Sequence, residues 1–406
     1  MTAPTLDAEP ACPGAAQASD APPIDESDTR PRVGLRAEVR PFGSITPAIW
    51  GGLAAQNPWA TPFSSWAFHR AWWDAYGANA HDETLVFVPA DGRPDDPDVA
   101  PIAILPLMHR HEVEPTDAAT HTTMRHGHAA DLTPVRPDAT AIFFGASYHA
   151  DYATVLASPA DLPQVAAAFA DHLAERPATD WDVVDLRRLR CGDPLADDLA
   201  AALGAREIAE GWTLNVERED VCPVVTLTEG STMDAYLATL GKKERHEIRR
   251  KVRRAAAAGP IALVDSPDPL ADLDAFIDLH QRRWGDDGLF PPTEGGAQSR
   301  LFFRRLFALY GPDGPLRLTF LTVGDRRIAS GVHIETPDGY LYYNAGVDPD
   351  ARDLSPGVVM VHAYIERAFA AGKCRLDFLR GDEPYKYDWG AADEPIQRLL
   401  LRRRTH

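Results

Sequence analysis

Arg380, Asp382, Glu383, Tyr385, Lys386 and Trp389 fall within ten residues of one another, directly behind a strand-like run, Cys374–Leu379, that also carries Asp377. A carboxylate such as Asp377, Asp382 or Glu383 can take a proton from a nucleophile, and a phenol such as Tyr385 can return one to a leaving group. Arg380 and Lys386 can hold a carboxylate or phosphate, the guanidinium in bidentate fashion. So many convergent polar groups just past a strand end read as a site rather than a connector. The same residues also fit a structural ion-pair cluster tying a strand end to its loop, and spacing does not tell which carboxylate faces a substrate.

The elements upstream must position this turn. Ser355, Pro356 and Gly357 punctuate the start of a helix whose Val359, Val361, His362, Ile365 and Phe369 recur at three- and four-residue spacings, and Gly372 stops it. Its first turn, Ser355 to Val358, presents unpaired N–H groups that suit a pyrophosphate, although an ordinary proline-started helix has the same sequence signature. Strands are expected at Leu316–Val323, Ile328–Glu335 and Tyr340–Ala345, with turns at Gly324-Asp325 and Pro337-Asp338-Gly339. Helices are expected at Met233–Leu240, Lys242–Ala258, Leu270–Trp284 and Ala297–Leu309, the first opened by a capping box at Ser231. His333, on the second strand, reads as a packed core histidine or a substrate contact. The run Lys242, Lys243, Arg245, Arg249, Arg250, Lys251, Arg253, Arg254 puts a basic face on an amphipathic helix. It fits nucleotide phosphates, an anionic polymer or a tRNA acceptor stem, or a solvated face paired with Glu244 and Glu247.

At 406 residues the chain is long enough for two domains. Residues 1–31, rich in Ala, Pro, Asp, Glu and Ser, lack the apolar surface to offset ordering and are expected to be a disordered tail. From Val33 an α/β alternation begins, with Ser64 and Ser65 able to cap a helix faced by Trp66, Phe68, Trp72, Trp73 and Tyr76. Strands at Thr84–Val88, Ala100–Met108 and Ala141–Gly145, helices at Leu162–Ala174 and Pro194–Leu203, and a strand at Trp212–Val216 complete the first unit. The formal net charge of −19 disfavours DNA or an anionic membrane as a general partner. Cys12, Cys191, Cys222 and Cys374 show no paired spacing, no apolar run reaches the ~20 residues of a membrane span, and no signal peptide is evident. The expectation is a cytoplasmic protein. His109 and His111, with His121, His126 and His128 beyond, tempt a zinc reading, but no cysteine or carboxylate pattern supports it and no metal is expected.

The stretch LDFLRGDEPYKYDWGA, behind SPG and its helix, closely resembles the last third of GNAT acyltransferases of the FemAB-like or CelD-like branch. The resemblance extends through Tyr340–Pro349, Arg327–Glu335, Leu279–Trp284 and Tyr236–Gly259, and more thinly through Thr61–Gly77, Ile104–Leu107 and Ala150–Leu156. It implies an α/β (α+β) fold: a tandem pair of GNAT-like domains, 32–220 and 221–406, each a mixed, mostly antiparallel sheet flanked by helices. It also implies an N-acyltransferase using acetyl-CoA or another acyl-CoA, by direct attack of an amine in a ternary complex. Asp377, Tyr385 and Asp382 would carry the chemistry. Ser355, Gly357, Val358 and Asn344 would hold the donor, with Tyr343 and Asn344 where a GNAT strand splays and Gly346 permitting a bulge or a close approach. Arg380, Lys386, Glu383 and His333 would hold the acceptor. Arg352–Gly357 departs from the usual phosphate loop, with Ser355 for the first glycine and Pro356 removing one donor. The acceptor implied is a small-molecule or glycan amine, such as an amino sugar or envelope precursor, bound between the halves. Aminoacyl-tRNA-dependent transfer of the FemAB kind and a non-catalytic scaffold are the alternatives, and the sequence does not set the oligomeric state.

Overall fold

A computed structural model describes residues 34–403 except 94, 95, 97, 98, 111–131 and 137, so the expected tail and His111, His121, His126 and His128 lie outside the described residues. The first half runs β1 (Leu35–Val39), α1 (Pro47–Ala54), α2 (Trp66–Tyr76), β2 (Ala80–Asp82), β3 (Leu85–Pro89), β4 (Ala103–Leu105), β5 (Leu107–Arg110), β6 (Ala141–Phe144), α3 (Leu162–Glu175), β7 (Val183–Arg190), α4 (Pro194–Gly204), α5 (Glu207–Glu210) and β8 (Trp212–Thr226). The second runs α6 (Met233–Thr239), α7 (Lys242–Ala258), β9 (Ile261–Asp265), α8 (Pro269–Trp284), α9 (Glu294–Tyr310), β10 (Leu316–Val323), β11 (Arg326–Glu335), β12 (Gly339–Val347), α10 (Pro356–Ala370), β13 (Arg375–Asp377), α11 (Pro384–Tyr387) and β14 (Ala392–Arg403).

Side-chain caps set several helix starts. Ser65 accepts from Phe68 N at α2. At α6 the cap is Thr232, accepting from Ala235 N, rather than Ser231. Thr293 caps α9 through Gly296 N, so that helix begins upstream of the expected Ala297.

One sheet takes the order β2-β5-β6-β7-β14-β8-β13-β12-β11-β10-β9, and β1-β3-β4 form a smaller one. Its two parallel pairs among the described strands are β6·β7, joined across α3, and β12·β13, joined across α10. This is the tandem architecture: each half builds antiparallel strands, a crossover helix and a parallel strand. The halves then exchange strands. β14, the last strand, pairs with β7 on one side and with β8 from Ala392↔Val224 to Arg403↔Trp212 on the other, while β8 also pairs with β13. The division expected at 220/221 falls inside β8, which runs unbroken across it.

Three larger cores follow from the layers of the main sheet, and a fourth, smaller one holds Phe42, Trp50, Leu53, Val86 and Ile104 of the first half. α2, α8 and α9 cover one face with Phe68, Trp72, Phe276, Phe302 and Phe303, in a cluster that joins both halves. α3 and α4 cover the first half's other face. α6, α7 and α10 cover the second half's other face with Leu237, Ile248, Val361, Tyr364 and Ile365. Each such side chain contributes about 1.5–3 kcal/mol on burial. The halves are therefore fastened by a shared sheet and a shared aromatic core.

The site comes from where the sheet fails to close. β12 and β13 pair only from Gly339↔Arg375 to Leu341↔Asp377. Beyond that the chain after β13 follows β8 instead, with Phe378 N donating to Pro223 O and Gly381 N to Val221 O, both 3.0 Å. The register of β11 against β12 skips Tyr343, between Val332↔Asn344 and His333↔Tyr342. The bulge lies at Tyr343. Of the two roles expected of Gly346, a bulge or a close approach, it takes the second, since a Cβ there would clash with the α8 backbone at Leu279 and His280.

Candidate active site

The gap between β12 and β13 opens into a cavity on each side. One, of about 440 Å³, is lined by Lys243, Glu244, Glu247 and Lys251 of α7, Gly357, Val358 and Val361 of α10, and Asp388 and Trp389. The other, of about 390 Å³, lies toward the first half and is lined by Tyr148, His149, Asp151, Asn344, Arg380, Glu383 and Lys386. Tyr342, Arg283 and Tyr385 line both. Tyr342 packs with the α10 core and Tyr343 against the shared aromatic core, so the bulged strand separates the two cavities.

On the first side, Ser355 adopts left-handed backbone (φ 54°, ψ 54°) immediately before Pro356 starts α10. Such a conformation is strained for a residue with a Cβ and persists where surroundings over-determine it. Here Arg254 of α7 donates to Ser355 Oγ at 2.7 Å. A Cβ built on Gly357 would meet nothing within 4 Å, so the helix start faces open space. First-turn amides with Lys243 and Lys251 nearby offer donors to an anion, in a lining that also holds Glu244, Glu247 and Asp388. The basic run of α7 thus divides. Arg249 pairs with Asp234 and Arg250 with Glu247, each at 2.8 Å, while Lys243, Lys251 and Arg254 turn to the cavity and its helix start.

On the second side, Asp151 meets Arg380 Nε at 3.3 Å, an ion pair between the halves. Burial raises the Asp151 pKa, opposed by the charges of Arg380, Arg188 and Lys386. His149 is neutral, its pKa pushed down to about 3 by burial. Its Nε2 lies 2.8 Å from Tyr76 Oη, and its ring stacks 4.1 Å from Phe302. Tyr343 donates to the His149 carbonyl at 2.9 Å. Asn344 lines this cavity rather than the first, with no side-chain hydrogen bond among the described residues.

Lys386 holds the turn between β13 and β14. It is 2% exposed. Its Nζ donates to the carbonyls of Leu379 (3.1 Å), Arg380 (3.0 Å) and Gly381 (2.8 Å), and pairs with Glu383 at 2.8 Å. Leu379 (φ 58°) and Gly381 (φ 104°) are both left-handed. Asp377 is also committed to structure. It accepts from Tyr152 Oη (2.8 Å), Leu379 N (2.8 Å) and Arg375 (3.1 Å), is buried, and lines neither cavity. Burial raises its pKa against the opposing charge of Arg375. His333 sits in the core with Nδ1 2.9 Å from Tyr364 Oη and 3.2 Å from Thr319 Oγ1, and lines neither cavity. Tyr385, 37% exposed, stands at the junction, its pKa raised by burial and then by Tyr342 and Glu383.

Asp382 lines neither cavity. Its Oδ2 is buried without a hydrogen-bond partner among the described residues, and burial raises its pKa, reinforced by Asp220, Glu383 and Asp393. A raised folded-state pKa means that stability is full below the unfolded value and is lost as pH rises through the folded one. Asp382→Asn is therefore expected to raise Tm at pH 8 by the equivalent of about 1 kcal/mol. The gain should disappear as pH approaches 4. Thermal melts across that range would show it, and a lower Tm for the variant at pH 8 would contradict it.

Of the expected site residues, Tyr385, Asn344, Gly357, Val358, Arg380, Glu383 and Lys386 are brought together around the two cavities, with Ser355 at the rim. Asp377, Asp382 and His333 lie outside them. Sequence reasoning missed Asp151, His149, Arg283 and Tyr342. The signal for Asp151 was present in the segment Ala150–Leu156, which was noted without a role. His109 places Nδ1 3.0 Å from Ala141 O, and no metal-holding group of three or more His, Cys, Asp or Glu occurs among the described residues. No helix among them is long and apolar enough to cross a membrane.

Residues 242–387 match a family described as an acetyltransferase (GNAT) domain. No curated protein matches the chain. Among solved structures, FemX aligns with a TM-score of 0.54 at 10% identity, over 87% of this chain and 96% of that one. A conserved protein of unknown function from Bacteroides thetaiotaomicron aligns at 0.50 and 12% identity, over 88% and 98%. A tandem GNAT protein from the clavulanic acid biosynthesis pathway aligns at 0.44 and 13% identity, over 90% and 98%.

Proposed function

We propose that this chain, whose residues 242–387 match a GNAT acetyltransferase domain and whose fold aligns with that of FemX, is an N-acyltransferase that takes its acyl group from an acyl-CoA thioester and passes it to an amine. One observation carries this reading. A cavity at a helix start, lined by Lys243, Lys251 and Arg283 together with Glu244, Glu247 and Asp388, meets a carboxylate-bearing cavity at the shared residues Tyr342, Arg283 and Tyr385. The residues fit such a donor: Gly357 leaves room at the helix start, and Lys243, Lys251 and Arg254 supply positive charge.

The chain's groups then divide the work. Asp151 takes the proton of the amine as the N–C bond forms, and its burial-raised pKa brings it closer to the working range of a base. Backbone N–H groups around the Tyr343 bulge, freed from the β13 ladder, are placed to polarise the thioester carbonyl. As the C–S bond breaks, Tyr385 protonates the departing sulfur. The proton gained by Asp151 and the one lost by Tyr385 balance over the cycle. The amine acceptor, small molecule or glycan, occupies the second cavity.

Calorimetric titration of acetyl-CoA tests the donor. The expected result is micromolar binding to the wild type, weakened at least about 100-fold in Gly357→Trp, whose indole would fill the space at the helix start, a loss of roughly 3 kcal/mol. No binding to the wild type would sink the acyl-CoA reading. The exposed residues Lys242, Arg249, Arg250 and Arg253 favour a second reading, an aminoacyl-tRNA donor. Salt-sensitive tRNA binding abolished by Arg249→Glu with Arg250→Glu would support it, and no binding at low salt would remove it.

A further inference from the structure

We propose that the acceptor is an amino acid: a molecule that presents a carboxylate close to the amine it offers. This rests on the N-acyltransferase reading but concerns the second cavity alone. Asp151 and Arg380 place opposite charges side by side there, at 3.3 Å. Among the described residues Arg380 has no other side-chain partner, so both terminal nitrogens of its guanidinium are uncommitted. The contrast with its neighbours is informative. Lys386 is consumed by three carbonyls and Glu383. Arg375 is consumed by Asp377 and Glu394. Arg380 alone of these three keeps a planar fork open, and it does so in the cavity that holds the carboxylate base.

Charge balance selects the ligand. Asp151 with Arg380, and Glu383 with Lys386, are two neutral pairs, and Arg283 and Asp287 add one charge of each sign to the lining. A bare ammonium would add an uncompensated positive charge beside Arg380, at a cost that rises with burial. A zwitterion adds none. Its ammonium meets Asp151 and releases one proton to solvent before attacking as the neutral amine, its carboxylate meets the fork of Arg380, and the protein–protein pair becomes two charge-assisted contacts to the ligand. Because Asp151 and Arg380 are adjacent, the amine and carboxylate must also be adjacent, as in an α- or β-amino acid.

The test compares matched ligands on the full chain. The twenty L-amino acids, their D-forms and β-alanine are each set against the corresponding decarboxylated amine and amino-acid amide. Binding is followed by calorimetry, and transfer from acetyl-CoA by thiol release. The expected result is at least one amino acid preferred over its decarboxylated partner by roughly 10- to 100-fold in both readouts, the range of a charge-assisted pair. Arg380→Gln should reduce that ratio to within a few-fold, and Arg380→Lys should restore part of it. Equal use of amines with and without the carboxylate overturns the inference and leaves acyl transfer standing. So does acetyl-CoA binding with no amino acid bound. Carboxylate-dependent binding without acetyl-CoA binding keeps the inference and removes the acyl-CoA reading. The wild-type series decides the matter even if the variants fail to fold.

Discussion

Replacing Asp151 by asparagine is expected to lower kcat by about 10²- to 10⁴-fold, the contribution of a positioned proton acceptor, while acyl-donor affinity stays near that of the wild type. Asp151 lines the second cavity and not the first, so donor binding also serves as the check that the variant is folded. The pH profile carries the sharper signature. Burial raises the Asp151 pKa, against Arg380, Arg188 and Lys386, which lower it. The acidic limb of kcat/KM should therefore lie above the ordinary carboxylate range, with activity rising as pH increases through it. Removing the opposing charge in Arg380→Gln should move that limb further up. In Asp151→Asn the limb should vanish. Full activity with an unchanged limb in Asp151→Asn would shift the role elsewhere. His149 is a poor replacement, because burial holds it neutral to about 3 and Tyr76 engages its Nε2.

The pattern of local signals made much of the second half legible. α7 spans Lys242–Ala258, as its apolar spacing and Gly259 imply, and β10 spans Leu316–Val323, as its composition implies. Long-range pairing was not legible. β14 passed unread because ADEPIQRLLLRR breaks alternation at Leu399–Leu401. It is a strand because β7 and β8 flank it on both sides, and both lie far off in sequence. The same limit governs the site. Asp377 has the residue type of a base, but its partner Tyr152 lies 225 residues away, and that hydrogen bond helps turn it into scaffold. Asp151 had the opposite fate. It stands in a half without a turn like RGDEPYK, and the shared sheet and shared aromatic core bring it opposite Arg380. A residue's chemistry could be read locally, whereas its assignment to the cavity depended on the sheet.

Lys386→Met should affect the site in a different way from Asp151→Asn, and more broadly. The ammonium is 2% exposed and satisfies three carbonyls and one carboxylate. Methionine matches the length of the stem but leaves those acceptors unpaired, at a cost of about 3–5 kcal/mol for breaking a buried charge network. The turn it holds includes left-handed Leu379 and Gly381, conformations that persist only while the surroundings impose them. Arg380 and Tyr385 ride on that turn. Their displacement should raise the acceptor KM and lower kcat together, whereas Asp151→Asn acts on kcat. Hydrogen exchange separates the cases. Amides of residues 377–386 should lose protection in Lys386→Met, while those of α3, packed in the first half's separate core, should not. Lys386→Arg should rescue little, because a planar fork cannot converge on three carbonyls as an ammonium does. If activity were lost with protection of 377–386 unchanged, Lys386 would be a substrate ligand, and the turn would owe its shape to Asp377 and Arg375 instead.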